Sequence, residues 1–256
     1  MIPTYNEADN IAQLIRTILS IEPDLDIVVV DDDSPDGTAQ IVREISAKDS
    51  RVHIIWRHNE RGRGTAGIAG FKYAMEQGAD IIIEMDADFS HDPRMIPKFL
   101  KYINEYDVVV GSRFVPGGKN IRKGVIRNFV TWAANLYIRF VLKIKIQDAT
   151  SGYRCWRREV LEALDISRTI SIGPSVVQEL LYKALLLGFS VKEIPITFVD
   201  RFRGISSFNF RIALQGFIMV LILRYLFSNI RRISNVDIYN SAKATSGPTQ
   251  HHEEKP

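Results

Sequence analysis

Ile81-Ile82-Ile83-Glu84-Met85-Asp86-Ala87-Asp88-Phe89-Ser90-His91-Asp92-Pro93 is the stretch on which the fold turns. An apolar run too short for a helix closes on two carboxylates one residue apart, and a proline then opens the next helix. The same grammar recurs on either side. Residues 27–30 are an apolar run ending in Asp31, Asp32 and Asp33, and residues 108–110 end in Gly111, Ser112 and Arg113. Between these runs lie helix-period segments: Ile11, Leu14, Ile15, Ile18 and Leu19; then Ile41, Val42 and Ile45; then residues 66–77. A further strand is expected near 52–56. Such alternation predicts an α/β fold, a mostly parallel sheet covered by helices, and no internal repeat is visible. Ligands of such sheets bind beyond the carboxyl ends of the strands, so the acids and Arg113 should share one edge. Only Met1 and Ile2 precede the turn at Pro3, where a full strand is expected, and the first loop is therefore predicted to be poorly anchored.

The 256 residues, 46% hydrophobic and 25% charged, suit one large domain or a catalytic domain with a small appendage. A net charge of +3 is too small to argue for nucleic acid, and none is expected as a partner. Cys155 is the single cysteine, which excludes an internal disulfide framework and a thiolate zinc cluster; it reads as a small buried side chain. A reducing, cytoplasmic setting is consistent with this. No basic leader followed by an apolar run marks a secretory signal. No apolar stretch reaches the roughly 20 residues of a membrane span; the nearest, 212–227, is interrupted by Gln215 and Arg224. The expected organisation is a catalytic domain over 1–209, an amphipathic membrane-associated helix over 210–235, and a disordered polar tail over 236–256. His251 and His252 in that tail read as solvated.

Two alternate carboxylates at a strand end can both reach a hard cation, with water and phosphate oxygens completing its shell. Asp86 and Asp88 fit Mg²⁺ or Mn²⁺ in this way, with Ser90 beside them. The plainer reading makes Asp88 and Ser90 caps of the helix begun at Pro93. Metal binding is preferred because the neighbouring strands also end in acids. His91 reads as a loop residue, not a ligand. Two readings stay open for Asp148, which either orients an acceptor or sugar group or caps the turn that follows it. Glu179 is equally divided between a site role and a favourable place at a helix N-terminus.

Residues 108–147 contain no acid but carry Arg113, Lys119, Arg122, Lys123, Arg127, Arg139, Lys143 and Lys145. Within them, 125–146 reads as one helix with Arg127, Thr131, Asn135, Arg139 and Lys143 spaced by four, and Phe129, Trp132, Leu136 and Phe140 on the remaining face. An apolar face bordered by cations suits a helix lying in a membrane interface; an ordinary packed helix is the alternative. The helix near 212–227 repeats the theme, either docking in the membrane or packing on the core. Peripheral attachment at the cytoplasmic face of a membrane is the expectation.

Pro3-Thr4-Tyr5-Asn6-Glu7, Asp31-Asp32-Asp33-Ser34-Pro35-Asp36-Gly37-Thr38, Asp86-Ala87-Asp88 with Ser90-His91, and Gly111-Ser112-Arg113 together resemble glycosyltransferase family 2. Asp148-Ala149-Thr150-Ser151-Gly152-Tyr153-Arg154, Gln178-Glu179, Pro195 and Val199-Asp200-Arg201 resemble its dolichyl-phosphate (polyprenyl-phosphate) mannose synthases. The resemblance implies a GT-A fold and inverting transfer of mannose from GDP-mannose to a polyprenyl or dolichyl phosphate. It further implies that Pro3, Tyr5, Glu7, Val30 and Asp32 hold the guanosine, and that Asp86, Ala87, Asp88 and Ser90 surround the diphosphate and metal. Arg113, Arg127 and Arg201 would be its phosphate-contacting arginines, Arg113 and Arg127 on the acceptor. Asp86, Asp88, Arg113, Arg127 and Asp148 form the implied catalytic set, and a membrane-anchoring partner subunit is a further expectation. Where many relatives read Arg-Gly-Glu-Ser-Lys, this chain reads Arg203-Gly204-Ile205-Ser206-Ser207, so Ser207 carries over only weakly.

The residue types agree with that chemistry. A leaving diphosphate needs its growing charge neutralised, which a Lewis-acid metal does. A phosphate monoester, with a second pKa of about 6, already offers a deprotonated nucleophile, so no strong general base is needed. Spacing alone does not separate GDP-mannose from UDP-glucose or another UDP-hexose. Rivals of other classes are a nucleotidyltransferase, a silent lipid-binding subunit, and a nicotinamide-dependent dehydrogenase suggested by Gly62-Arg63-Gly64-Thr65-Ala66-Gly67. Against the last, residues 58–61 separate strand from glycine, where a dinucleotide turn has none.

Overall fold

The computed structural model describes residues 1–58, 60–121, 124–171, 173–200 and 210–227. Strand β1 (Ile2–Thr4) leads into α1 (Ala8–Ile21), β2 (Ile27–Asp31), α2 (Thr38–Ser46), β3 (Val52–Trp56) and α3 (Arg63–Glu76). Next come β4 (Ile81–Glu84), a 3₁₀ turn at Pro93–Met95, α4 (Ile96–Ile103), β5 (Val108–Ser112), β6 (Lys119–Ile121) and α5 (Val125–Leu142). The chain continues through β7 (Arg154–Arg157), α6 (Arg158–Ala163), α7 (Val176–Leu186), β8 (Val191–Pro195), β9 (Thr197–Val199) and α8 (Phe210–Phe227).

Strands β1, β2 and β3 pair in parallel, and a second sheet runs β4-β7-β5-β8. Met1 joins the two: its nitrogen donates to the Ile83 carbonyl at 2.8 Å, and its carbonyl accepts from Met85 N–H at 3.2 Å. That is the bonding pattern of a parallel pair, so β1 and β4 point the same way. The expected mostly parallel sheet holds with one exception. Strand β7 lies antiparallel between β4 and β5, Arg154 facing both Glu84 and Val110. The chain returns from α5 along the edge where the acids lie and enters the sheet from there, so it must run against its neighbours. This puts the loop before Arg154 beside the acids. A separate two-stranded parallel ribbon, β6 with β9, stands at the same end.

The apolar runs are continuous because both faces of the sheet are covered. Val28, Val30, Val108 and Val110 point to one side with Trp156, Leu161, Leu180 and Tyr182, while Ile27, Val29 and Val109 point to the other with Ile11, Leu14, Val42 and Phe99. Helix α3 lies against the start of α7 closely enough to need glycine: a Cβ on Gly64 would lie 2.6 Å from the Gly173 carbonyl oxygen and 2.5 Å from Val176.

Two expectations are corrected. The first loop is firmly anchored, because Asn6, Glu7 and Ala8 donate their backbone N–H groups to Ser34, Thr38 and Asp36 in turn. Helix α5 stops at Leu142, short of 146, because Lys143 takes a left-handed conformation (φ 55°) that caps it. Helix α8 packs on the body of the fold: Val220 and Leu223 are buried in the core, and Tyr137 of α5 stacks on Phe217 at 4.0 Å and donates to its carbonyl. Among the described residues no helix is long and apolar enough to cross a membrane. The tail over 236–256 lies outside the described residues.

Gly64→Ala is expected to lower stability by roughly 1–3 kcal/mol through overpacking against backbone that cannot yield. An unchanged urea midpoint would refute the close approach of α3.

Candidate active site

The loops after β1 and β2 form one unit. Asp31, fully buried, accepts from Thr4 Oγ1 at 2.8 Å, from Ser34 N–H at 2.9 Å and from Ser34 Oγ at 2.6 Å. It is a brace and faces no ligand. Asp32 accepts from the Gly62 N–H at 2.7 Å and lies 3.0 Å from Arg57 Nε. Burial pushes the Asp32 carboxyl upward, against the Gly62 amide and the Arg57 charge, which pull it down. Arg57 Nε and Nη1 are buried without an aligned hydrogen-bond acceptor among the described residues. Asp33, left-handed at φ 56°, accepts from Trp56 Nε1 at 2.8 Å. Tyr5 is exposed, with the Arg61 guanidinium 4.8 Å over its ring. Glu7 accepts from Asn10 at 2.8 Å and Pro3 sits half-buried in β1. The side chain of Val30 points into the core, so any contact it makes with a donor runs through its backbone.

Beyond β4, the chain turns through left-handed Phe89 (φ 58°). Asp86 stands at the rim with its side chain 34% exposed, whereas Asp88, Ser90 and Ala87 are buried. Ser90 N–H donates to Asp88 Oδ1 at 3.1 Å. His91 is buried, stacked on Tyr153 at 4.9 Å, and its Nδ1 accepts from the Asp86 N–H at 3.0 Å. Burial depresses its pKa, and the accepting Nδ1 puts the ring proton on Nε2. The 3.8 Å approach of that same nitrogen to Asp86 Oδ2 is therefore no ion pair. His91 sets the backbone of the acid turn, as a loop residue should.

Two residues that the sequence reading passed over complete this corner. Arg63 donates to Asp86 Oδ1 through Nη2 at 2.7 Å and Nε at 3.2 Å, and to the buried Glu84 through Nη1 at 3.2 Å. Its signal was present in Gly62-Arg63-Gly64, which had been weighed only as a dinucleotide loop. In the fold, Gly62 serves Asp32 and Gly64 serves packing.

The third group surrounds Arg113. Its guanidinium grips Asp148 with two parallel bonds of 2.7 and 2.6 Å, and its own N–H gives a third at 3.0 Å. Burial pushes Asp148 upward, but the Arg113 bonds and charge outweigh it and hold the carboxyl below the usual aspartate range. Glu193 fixes the Asp148 backbone from β8 at 2.9 Å. Thr150 accepts from Arg113 at 2.6 Å and from Asn135 at 3.0 Å, which ties α5 to the cluster. Phe198 touches both groups, 5.7 Å from the His91 ring and 5.3 Å from the Arg113 guanidinium. Arg154 clasps the loop behind, donating to the carbonyls of Ser151, Ala149 and Val177. Glu179 is buried and accepts from Ile170 and Ser171 N–H while paired with Lys183, so it anchors the loop before α7. Arg127 is exposed, two turns up α5 from Asn135. Arg201 and Ser207 lie outside the described residues.

Among the described residues no group of three or more His, Cys, Asp or Glu converges as a metal cage. The donor set nonetheless fits a hard cation: two carboxylates, plus a buried Ser90 Oγ that has no hydrogen-bond partner among the described residues. The remaining positions of such an ion would be filled by water or phosphate oxygens.

A family model described as "Glycosyl transferase family 2" matches residues 1–165. An undecaprenyl-phosphate mannosyltransferase of Micrococcus luteus is 39% identical over 209 residues, spanning 82% of this chain and 86% of that protein. A polyprenol monophosphomannose synthase of Mycolicibacterium smegmatis is 41% identical over 212 residues, 82% of this chain and 80% of its own. Among solved structures, glucosyl-3-phosphoglycerate synthase from Mycobacterium tuberculosis with Mn²⁺ and UDP superposes with a TM-score of 0.61 at 20% identity, over 87% of this chain and 77% of that one. A mannosyltransferase from Pyrobaculum calidifontis in complex with GDP-Man and Mn²⁺ superposes at 0.55 and 17% identity, over 97% and 75%. At these identities the two structures speak to the fold alone, which is the GT-A arrangement.

Asp148→Asn breaks a buried ion pair and should cost roughly 3 kcal/mol at neutral pH. Because the folded pKa of Asp148 is depressed, the wild-type advantage is full above the ordinary aspartate value of 3.8 and is lost as pH falls through the lower folded value. Equal denaturation midpoints for the two proteins at pH 7 would show that the pair contributes nothing.

Proposed function

The chain belongs to glycosyltransferase family 2, and from that premise we propose that it moves mannose from GDP-mannose to the phosphate of a polyprenyl lipid, with inversion at the anomeric carbon. The observation that carries the lipid acceptor is a single helix with two faces. On one face of α5, Thr131 and Asn135 continue the line of Arg127 down to Thr150, Asp148 and Arg113. On the other, Ile126, Phe129, Trp132, Leu136 and Phe140 are exposed, Phe140 by 82%. Helix α8, stacked alongside, exposes Leu214, Phe217, Leu221 and Tyr225. Adjoining apolar faces of this extent mark an interaction surface, and a membrane interface suits them. An acceptor held there would send its phosphate along the polar stripe to the acids.

At the site, Tyr5 and Asp32 are proposed to receive the nucleoside, and Asp86, Asp88 and Ser90 to hold Mg²⁺ or Mn²⁺. When bound, that ion supplies Lewis-acid neutralisation of the departing diphosphate. An oxygen of the acceptor phosphate forms the new bond to the anomeric carbon as the bond to GDP breaks, and no proton need move. Arg127 presents a planar, permanently charged fork to the acceptor phosphate. Arg113, already committed to Asp148, holds the loop that carries Thr150. We place the enzyme at the cytoplasmic face of a membrane as a peripheral protein, with a membrane-anchoring subunit as its proposed partner.

Incubation with Mg²⁺, separate nucleotide-sugars and a polyprenyl phosphate, followed by mass spectrometry of the lipid, should yield polyprenyl-phosphate hexose from GDP-mannose and none from UDP-glucose. Chelator should abolish it. Asp86→Asn is expected to lower turnover by about a hundredfold or more. Arg127→Ala should raise KM for the lipid about tenfold with little change in kcat. Normal rates in both variants, or no flotation with anionic liposomes, would overturn the assignment.

A further inference from the structure

Arg63 takes its place in neither the donor nor the acceptor arrangement above. Both of its bonds to Asp86 fall on the same oxygen, Oδ1, from Nη2 at 2.7 Å and Nε at 3.2 Å. The third nitrogen, Nη1, meets Glu84 Oε1 at 3.2 Å. Neighbouring backbone holds it in place. A Cβ on Gly152 would lie 2.3 Å from Arg63 Nη2, so the guanidinium rests directly on that backbone. Gly62 before it is bonded to Asp32, and Gly64 after it is wedged against Gly173 and Val176. Departure would also strand Glu84, which is buried and whose Oε2 lacks a hydrogen-bond partner among the described residues.

We propose that Arg63 is a positioning residue of the acid pair: a resident cation that holds Asp86 Oδ1 and weakens the grip of the nucleotide-free protein on a divalent ion. The inference rests on the reading of Asp86 and Asp88 as ligands. Formal charges give the reason. Arg63 offsets one of the negative charges of Glu84, Asp86 and Asp88, beside the charge that Arg154 already places near Glu84. Without Arg63 the cluster is more negative by one unit. It then attracts the ion more strongly and, once the ion is bound, is more negative toward the diphosphate.

Arg63→Met therefore moves two affinities in opposite directions. Mn²⁺, titrated without nucleotide and followed by the electron paramagnetic resonance of the free ion, should bind about tenfold tighter than to wild type. GDP, titrated calorimetrically at saturating Mn²⁺, should bind about tenfold more weakly. Arg63→Lys, which keeps the charge, should return both values to within about threefold of wild type. Should Arg63→Met fail to fold by circular dichroism, Arg63→Gln removes the same charge while keeping a hydrogen-bond donor, and carries the same expectation. Loss of both affinities together, or change in neither, overturns the proposal. A wild-type protein that binds no Mn²⁺ even with GDP present overturns the ligand assignment itself, and the inference with it.

Discussion

A carboxylate taken out of water costs several kcal/mol unless partners replace its hydration, and one edge of this sheet buries five: Asp31, Asp32, Glu84, Asp88 and Asp148. That demand organises the rest. Asp31 is answered by Thr4 and Ser34, Asp32 by Gly62 and Arg57, Glu84 by Arg63, Asp88 by the Ser90 amide and Asp148 by Arg113. These partners come from the end of β1 and from the connections after β2, β3, β4 and β5. Satisfying the acids therefore draws the loops after β1, β2, β3, β4 and β5 onto one rim. Parallel strands make this economical, because their carboxyl ends all arrive at the same side.

The same constraint explains residues that carry no ligand. Arg154 lies fully buried within the core, yet its three nitrogens serve the carbonyls of Ala149, Ser151 and Val177. Burial lowers its pKa to about 10, still far above neutrality, so it stays charged. A neutral side chain there would leave the loop from Asp148 to Tyr153 without its frame. Tyr153 continues the frame, stacking on His91 and donating to the Asp92 carbonyl at 3.0 Å. In this way the antiparallel strand β7 and the acid turn hold each other.

Helix α5 joins this polar rim to an apolar exterior. Its Asn135 donates to Thr150 and to the Thr131 carbonyl, and its large apolar residues stay outside. Helix α8 extends that exterior without leaving the core, since Val220 and Leu223 are buried while Tyr225 is 80% exposed. A family 2 enzyme with a lipid-linked acceptor needs both properties in one place.

Much of this was legible in the residues. Three apolar runs, each ending in polar or charged residues, determined the class of fold and the edge at which the acids gather, and they are the ground on which Asp86 and Asp88 are proposed as ligands. Period-four spacing on α5 separated its polar stripe from its apolar face. Those signals are local, carried by side-chain alternation and by chain reversals at strand ends. Pairing between distant loops leaves no such periodic trace. Only the tertiary structure decided that β7 runs antiparallel, that Asp31 is a brace, that Asp148 belongs to Arg113 and that Arg63 occupies one oxygen of Asp86. Such partnerships are chosen by burial and charge balance once the chain has closed, and neither quantity exists until it does.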